Sequence, residues 1–218
     1  MRLAVFDLDG TITRHDTLVP YALGFVLRRS IWRLPALLLV LPAVLAHAVG
    51  LIDRGRLKSA FILAMLGGCR RKALALWTAA FVGRLLQRGV FPQAIAAIQA
   101  HVRSGDHLVL LSASTDLYVP AIGLALGFQE VICTGLRWRG DRLIGTLTTP
   151  NRRGEEKARC MAALRKRFPN MASVAYGNAA SDLAHLRLVD RGVLVNGSAS
   201  ARRTAMSEGI GCTDWASR

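Results

Sequence analysis

Two aspartates near the start of the chain have the spacing of a catalytic pair. Asp7 and Asp9 follow the short apolar run of residues 3–6, and Gly10 comes next. Side chains two apart on an extended backbone point to the same side, so both carboxylates face one space at the end of a strand. Glycine lets the backbone approach an anion closely. One carboxylate could form an acyl phosphate, while the other protonates the leaving group and then activates water.

A calcium loop is the alternative interpretation of this spacing, and the residues that follow exclude it. An EF-hand loop that began at Asp7 would need glycine at its sixth position and glutamate at its twelfth. Those positions hold Ile12 and Leu18. The calcium-loop interpretation therefore fails.

An alternation of apolar runs and helix-like patterns would position these aspartates. Strand-like runs occupy residues 3–6, 107–111, 130–133, 173–176 and 192–195. Helical periodicity covers residues 93–102, 117–126, 155–168 and 181–188. This alternation predicts an α/β fold with a parallel sheet covered on both faces. A hairpin, residues 136–139 and 142–148 around Gly140-Asp141, interrupts the order.

The first motif carries a family resemblance. The run Phe6-Asp7-Leu8-Asp9-Gly10-Thr11 resembles the first motif of the haloacid-dehalogenase superfamily of phosphatases. The resemblance implies that Asp7 is the nucleophile and that Asp9 is the general acid and base. It also implies that Gly10 and Thr11 contribute to phosphate binding.

The second and third motifs of this family follow in order. Ser112, with Ala113 beside it, ends the strand-like run 107–111 and matches the second motif, which binds phosphoryl oxygens. Lys157 matches the third motif, whose implied role is to neutralise charge between Asp7 and the phosphoryl group. Alone, such a serine is a common turn residue and such a lysine a common surface residue. Their order along one alternating pattern gives them weight.

The fourth motif departs from the family pattern in one position. The family usually has two acids here, whereas this chain has Asn178 first and Asp182 second. The resemblance implies that Mg²⁺ is held by Asp7, Asp9 (through its carbonyl), Asn178 and Asp182. An amide oxygen can bind Mg²⁺, but it removes one negative charge from the site.

Residues 14–90 interrupt the alternation and read as inserted helices. Leu74, Trp77, Phe81 and Leu85 repeat at helical spacing. We therefore expect a Rossmann-like core from residues 1–13 and 91–218. The family resemblance extends to the phosphoserine-phosphatase-like subclass and implies that residues 14–90 form an all-helical C1-type cap.

Residues 34–52 form an uncharged apolar run of 19 residues. Roughly 20 apolar residues match the thickness of a bilayer. Basic residues flank both ends: Arg28, Arg29, Arg33, Arg54, Arg56 and Lys58. Since cationic flanks tend to stay cytoplasmic and one sheet must form from both sides of the run, we expect a re-entrant hairpin or an interfacial helix, with bends at Pro35 and Pro42.

This segment and its flanks also resemble the cap of the bacterial phosphatidylglycerophosphatase C family. That resemblance implies a lipid phosphate as substrate, and the cytoplasmic face of the inner membrane as the place of work. The net charge of +15 predicts an anionic partner, here an anionic membrane surface. No nucleic-acid motif accompanies the charge, so nucleic acid is not the expected partner. The four separated cysteines suit a reducing compartment.

Two alternatives remain open at this point. The chain could be a soluble phosphatase for a small metabolite, of the histidinol phosphate or phosphoserine type, with the apolar run as cap core. Phosphoserine is disfavoured because residues 14–90 contain no glutamate to meet its ammonium group, and Asp53 lies among basic residues. The chain could also be an inactive phosphate-binding or membrane-binding homologue, for which Asn178 is the one hint.

Overall fold

Eight strands are found in the structure, a computed structural model that describes residues 1–216. They are β1 (Leu3–Phe6), β2 (His107–Thr115), β3 (Glu130–Thr134), β4 (Leu136–Arg139), β5 (Arg142–Leu147), β6 (Ser173–Gly177), β7 (Arg191–Val195) and β8 (Gly211–Thr213). Six of them form a parallel sheet in the order β3-β2-β1-β6-β7-β8, while β4 and β5 pair as an antiparallel hairpin. The predicted α/β fold with a parallel sheet is confirmed.

Strand β1 lies at the centre of the sheet, with β2 on one side and β6 on the other. Phe6 pairs with Leu110 of β2 and with Tyr176 of β6. The strand order reverses at β1, and such a switch point opens a crevice at the carboxyl ends of the strands. Asp7 follows β1 directly, so the fold places it in that crevice.

The helices in chain order cover both faces of the sheet and form the insert. They are α1 (Leu18–Arg29), a 3-10 helix (Ile31–Val40), α2 (Leu41–Ala48), α3 (Arg54–Leu66), α4 (Arg71–Arg88), α5 (Pro92–Arg103), α6 (Val119–Leu126), α7 (Glu155–Arg167), a short 3-10 turn (Ala180–Asp182), α8 (Leu183–Leu186) and α9 (Ala199–Ser207). Sequence analysis did not predict α9 and β8.

The two faces of the sheet have separate cores because alternate residues of β1 point in opposite directions. Ala4 and Phe6 pack in the cluster that includes α5, α6 and the insert. Leu3 and Val5 pack in the cluster with α7, α8 and α9. All four side chains are fully buried, so the strand that carries Asp7 is held rigidly from both sides.

The helical insert leaves the core and returns to it at neighbouring points. The Arg14 N–H donates to the Gly89 carbonyl at 2.8 Å, and the Phe91 N–H donates to the Ile12 carbonyl at 2.9 Å. Within the insert, Leu74, Trp77 and Phe81 are buried on one face of α4, as the periodicity predicted. The division of the chain at residues 13 and 90 stays a prediction.

The β4–β5 hairpin packs on the insert rather than on the central sheet. The Gly68 N–H donates to the Leu143 carbonyl at 2.8 Å, and the Leu143 N–H donates to the Cys69 carbonyl at 3.0 Å. Gly145 has a positive φ of 88°, and a Cβ there would lie 3.0 Å from the Leu63 backbone nitrogen. The hairpin therefore closes over α3 where only a glycine fits.

The apolar run is helical and lies on the surface. Val40 is its one buried residue between Ile31 and Ala48. Leu38, Leu39 and Leu45 are 67%, 76% and 68% exposed. By length and composition alone, Ile31–Ala48 could cross a membrane, and only 6% of it is buried. Leu34, Ala36 and Leu37 are partly buried against the main hydrophobic cluster, so the run packs on the core with one face and exposes the other.

Candidate active site

The carboxyl ends of β1, β2 and β6 meet the insert around a cavity of about 180 Å³. Six of the predicted site residues line it: Asp7, Asp9, Ala113, Lys157, Asn178 and Asp182. The other three, Gly10, Thr11 and Ser112, lie next to this surface and are not among its lining residues. Ser112 is fully buried, and its Oγ accepts a hydrogen bond from the Ser114 N–H at 3.0 Å.

Lys157 joins the two ends of the site. Its Nζ lies 2.6 Å from Asp7 Oδ1 and 2.8 Å from Asp182 Oδ1, and all three side chains are buried. Burial raises the pKa of Asp7 to about 7, although Lys157 lowers it. Burial would also lower the pKa of Lys157, but Asp7 and Asp182 outweigh burial and raise it, so the ammonium stays charged. The Lys157 ammonium thus forms ion pairs with two buried carboxylates.

Asp9 connects the core to the insert. Its Oδ1 accepts hydrogen bonds from the Thr17 N–H at 2.9 Å and the Thr17 hydroxyl at 2.7 Å. Its Oδ2 accepts one from the Ser114 hydroxyl at 2.5 Å. Thr17 is the residue before α1, and Ser114 lies in β2. Burial raises the pKa of Asp9, which favours the protonated carboxyl that a general acid needs.

At Gly10 the backbone of the first motif packs closely against the Asn178 side chain of the fourth motif. Its φ is +78°, and a Cβ there would lie 2.0 Å from the Asn178 side-chain nitrogen. Any larger residue would collide with Asn178 or strain the backbone. Packing against Asn178 therefore requires a glycine at this position, in addition to any need for a close approach of the backbone to an anion. Thr11 is buried behind it, with its hydroxyl 3.4 Å from Asp7 Oδ2.

Asp182 is held by the turn that follows β6. Its Oδ2 accepts hydrogen bonds from the backbone N–H groups of Asn178 and Ala179 at 3.1 and 3.0 Å. Burial raises the pKa of Asp182, but the charge and the hydrogen bond of Lys157 outweigh it, and the pKa is lowered. Burial, then Lys157, lowers the pKa of His185 to about 3, so this imidazole is neutral beside the carboxylate.

The donor set of the pocket suits Mg²⁺. Asp7, Asp182 and Asn178 present carboxylate and amide oxygens, which are the ligands that Mg²⁺ prefers. Burial raises the pKa of Asp7 to about 7, so a cation beside this carboxylate would favour its ionised form. Among residues 1–216, no group of three or more His, Cys, Asp or Glu side chains is arranged to hold a metal. That finding agrees with the amide at Asn178 and with Asp9, whose carboxylate is bonded to Thr17 and Ser114.

The insert and the loop before α7 supply pocket residues that sequence analysis missed. They are Asp16, Arg54, Lys58, Asn151 and Arg153. The Lys58 ammonium donates to the Ala113 carbonyl at 2.7 Å and to Asn151 Oδ1 at 2.5 Å. Burial lowers the pKa of Lys58 to about 8.

Three of these residues change the interpretation of the sequence. Arg54 and Lys58 flank the apolar run and also line the cavity. Asp16 lines the cavity as well, so the insert does offer a carboxylate to a substrate with an ammonium group. A search of the insert for any charged residue near the first motif could have found Asp16, since it lies seven positions after Asp9.

The model of the family described as haloacid dehalogenase-like hydrolase matches residues 4–187. Protein CicA of Caulobacter vibrioides is 30% identical over 191 residues, which cover 86% of this chain and 83% of that protein.

Solved structures share the fold. A protein of unknown function from Bordetella pertussis Tohama I superposes with a TM-score of 0.83 at 23% identity, covering 98% of each chain. A phosphoserine phosphatase, solved as an analogue of its phospho-aspartyl intermediate, gives a TM-score of 0.66 at 14% identity, covering 97% of this chain and 92% of that one. At these identities the likeness concerns the fold alone.

Proposed function

Since the chain belongs to the haloacid dehalogenase-like hydrolase family, we propose that it is a phosphomonoesterase that works through an aspartyl-phosphate at Asp7. The predicted membership of this superfamily is confirmed, and the chain is a hydrolase of that family. The family match and the fold shared with phosphoserine phosphatases support a phosphatase.

The observation that carries the proposal is the buried arrangement of Asp7, Lys157 and Asp9. Asp7 attacks phosphorus and forms the acyl phosphate, since its carboxylate lies at the floor of the cavity. Asp9 protonates the departing alcohol oxygen and then takes a proton from the water that hydrolyses the intermediate. Lys157 places positive charge 2.6 Å from Asp7, where the attacking and phosphoryl oxygens meet. Mg²⁺ held by Asp7, Asn178 and Asp182 would supply further neutralisation of the phosphoryl charge.

A substrate panel tests this function. Purified protein with Mg²⁺ is incubated with soluble and lipid phosphate esters, and inorganic phosphate is measured. We expect phosphate release, and after an acid quench we expect labelled phosphate on the protein that hydroxylamine removes, as an acyl phosphate requires. Release of phosphate without any such label, under conditions in which the second step is slowed, would contradict the covalent mechanism.

We further propose that the substrate is a membrane lipid phosphate, such as phosphatidylglycerophosphate, met at the cytoplasmic face of the inner membrane. The support is the exposed apolar run, whose large side chains lie in solvent beside a basic rim. Contiguous exposed apolar surface of this kind marks a protein or membrane contact. The basic residues that follow it, Arg54 and Lys58, reach the cavity itself, so a bilayer contact would bring anionic head groups to the site.

Liposome binding tests the membrane proposal. Wild-type protein should sediment with anionic liposomes, and high salt should release it only in part, because salt screens arginines but not apolar insertion. Leu39→Asp should weaken partitioning about tenfold or more, since burying one leucine is worth roughly 1.5–3 kcal/mol. Leu124→Asp, at an equally exposed leucine of α6 outside the run, should leave partitioning unchanged. Full recovery of wild type in the soluble fraction at low salt, without detergent, would favour a soluble substrate.

A small ester with an ammonium group is the second candidate. Asp16 lines the cavity and offers the carboxylate that such a substrate needs. In the panel, kcat/KM for phosphoserine or histidinol phosphate above that for every lipid phosphate would select this candidate.

The metal requirement gives a separate prediction. Asn178→Asp should lower the Mg²⁺ concentration for half activity on the order of tenfold, because a carboxylate replaces an amide beside a dication. Titration calorimetry with Mg²⁺ should show the same tightening. Asn151→Asp adds the same charge to the pocket beside Lys58 and should have a smaller effect. Equal effects of the two variants would show that Asn178 is not a ligand.

A further inference from the structure

An apolar groove of about 380 Å³ opens beside the catalytic cavity. Three walls enclose it: α1, the apolar run and α3. Their apolar lining residues are Leu18, Val19, Val40, Val44, Leu57 and Phe61. The volume is at the lower end of the range of sites that bind small molecules.

The groove and the catalytic cavity share part of their walls. Leu18, Arg54 and Lys58 line both spaces. Lys58 marks the boundary, since its ammonium donates to the Ala113 carbonyl on the cavity side. Leu18, Arg54 and Lys58 thus stand between the two spaces, and a ligand that extends past them would have a charged end near Asp7 and an apolar end between α1 and α2.

The chemistry of the two spaces specifies an amphiphile. The cavity is wholly polar apart from Leu18 and two alanines, and it carries the proposed nucleophile. The groove is apolar except for Arg54, Lys58 and His47. The far wall, Val40 and Val44, belongs to the exposed apolar run, so the groove leads from the reacting phosphate toward the surface proposed to meet the bilayer.

We propose that this groove binds a hydrocarbon chain of the substrate, the same molecule whose phosphate is attacked by Asp7. This inference rests on the proposed phosphomonoesterase function and narrows its substrate to phosphate monoesters that carry a hydrocarbon chain. Burial of methylenes in the groove provides binding energy that positions the ester for attack. The groove would then make the protein selective for substrates with a hydrocarbon chain, whether or not a membrane is present.

Monomeric n-alkyl phosphates test the groove without a bilayer. With ethyl to octyl phosphate below their micelle concentrations, kcat/KM of wild type should rise about threefold for each added methylene until the groove is filled. The octyl-to-ethyl ratio within each protein is the readout, so general loss of activity does not affect it.

Two neighbouring residues of α2 provide a matched pair of variants. Val44 is 45% exposed and lines the groove, whereas Leu45 is 68% exposed and does not. Val44→Asn should reduce the octyl-to-ethyl ratio about tenfold or more, and Val19→Asn, from the opposite wall, should do the same. Leu45→Asn should keep the wild-type ratio. Because Val19 and Val44 are nearly half exposed, polar substitution there is compatible with folding.

A binding measurement separates failure of this inference from failure of the proposed function. Octylphosphonate should bind wild type at least tenfold more tightly than ethylphosphonate by calorimetry, and Val44→Asn should remove the difference. Tighter binding of octylphosphonate than of ethylphosphonate, without phosphate release from any ester, would support the chain-binding groove and contradict the phosphatase function. Equal kcat/KM for short and long esters, with equal phosphonate affinities, would contradict chain binding in the groove and leave the phosphatase function supported. Equal losses in Val44→Asn and Leu45→Asn would assign the effect to the exposed surface and also overturn the groove.

Discussion

Replacing Asp7 by asparagine should abolish phosphate release, with a loss of kcat on the order of 10⁴-fold or more. An amide cannot form the acyl phosphate, and it keeps the shape and the burial of the carboxyl group. Steady-state assays on the best panel substrate measure the loss, and mass spectrometry checks that the asparagine has not reverted by deamidation. Asp9→Asn should instead slow turnover and let labelled aspartyl-phosphate accumulate, since the second step needs a base.

Asp141→Asn controls for the chemical change. Asp141 is an exposed aspartate in the turn of the β4–β5 hairpin, so its amide should leave kcat unchanged. Full activity in an intact Asp7→Asn protein would rule out covalent catalysis at this residue. A comparable loss in Asp141→Asn would point to a general effect of the substitution on the fold.

Removing Lys157 should cost the protein about 3–5 kcal/mol of unfolding free energy. Lys157→Met keeps a long apolar stem but leaves Asp7 and Asp182 buried with no cation between them. Urea denaturation at pH 7 with a chelator present measures the loss, because Mg²⁺ would otherwise take the place of the ammonium. In an Asp7→Asn background the same substitution should cost clearly less, since one of the two carboxylates is gone.

The pH dependence of this loss has a definite sign. Burial raises the folded-state pKa of Asp7 above its unfolded value of 3.8, to about 7 even with Lys157 in place. A raised acid binds more protons in the folded state, so stability falls as the pH rises through the folded pKa. Without Lys157 that pKa rises further, and the cost of Lys157→Met should be larger at pH 8 than at pH 5.5. A cost that is independent of pH, or no coupling to Asp7, would contradict the proposed ion triad.

The core of the fold could be predicted because its signals are local. Strand β1 ends directly before Asp7. The strands β2, β3, β6 and β7 each overlap one of the apolar runs from which a strand was predicted. Buried parallel strands are apolar on both faces, so the run itself marks the strand. Strand β8 has three residues, two of them exposed, and α9 buries only Ala201 and Ala205. Neither shows large apolar residues at regular spacing.

The catalytic pocket could be predicted only in part, because one wall of it depends on tertiary packing. The motif residues sit at strand ends, and strand order brings them together. Asp16, Arg54 and Lys58 reach the cavity only because the insert folds over the sheet. Their sequence context shows that they are charged, but not that their side chains point into the cavity. The apolar run posed the same difficulty, since composition alone does not distinguish a buried helix from one in solvent, and the structure places it outside.

The central position of β1 also governs the order of events during synthesis. Leu3 pairs with His107 on one side and with Ser173 on the other, so β1 has both of its neighbours only after β6 has been synthesised. The apolar run emerges long before that moment, together with the basic residues that flank it. Non-local strand pairing of this kind folds slowly and leaves apolar surface open to other contacts. The apolar run is therefore available for contacts before the strand that precedes Asp7 has both of its neighbours.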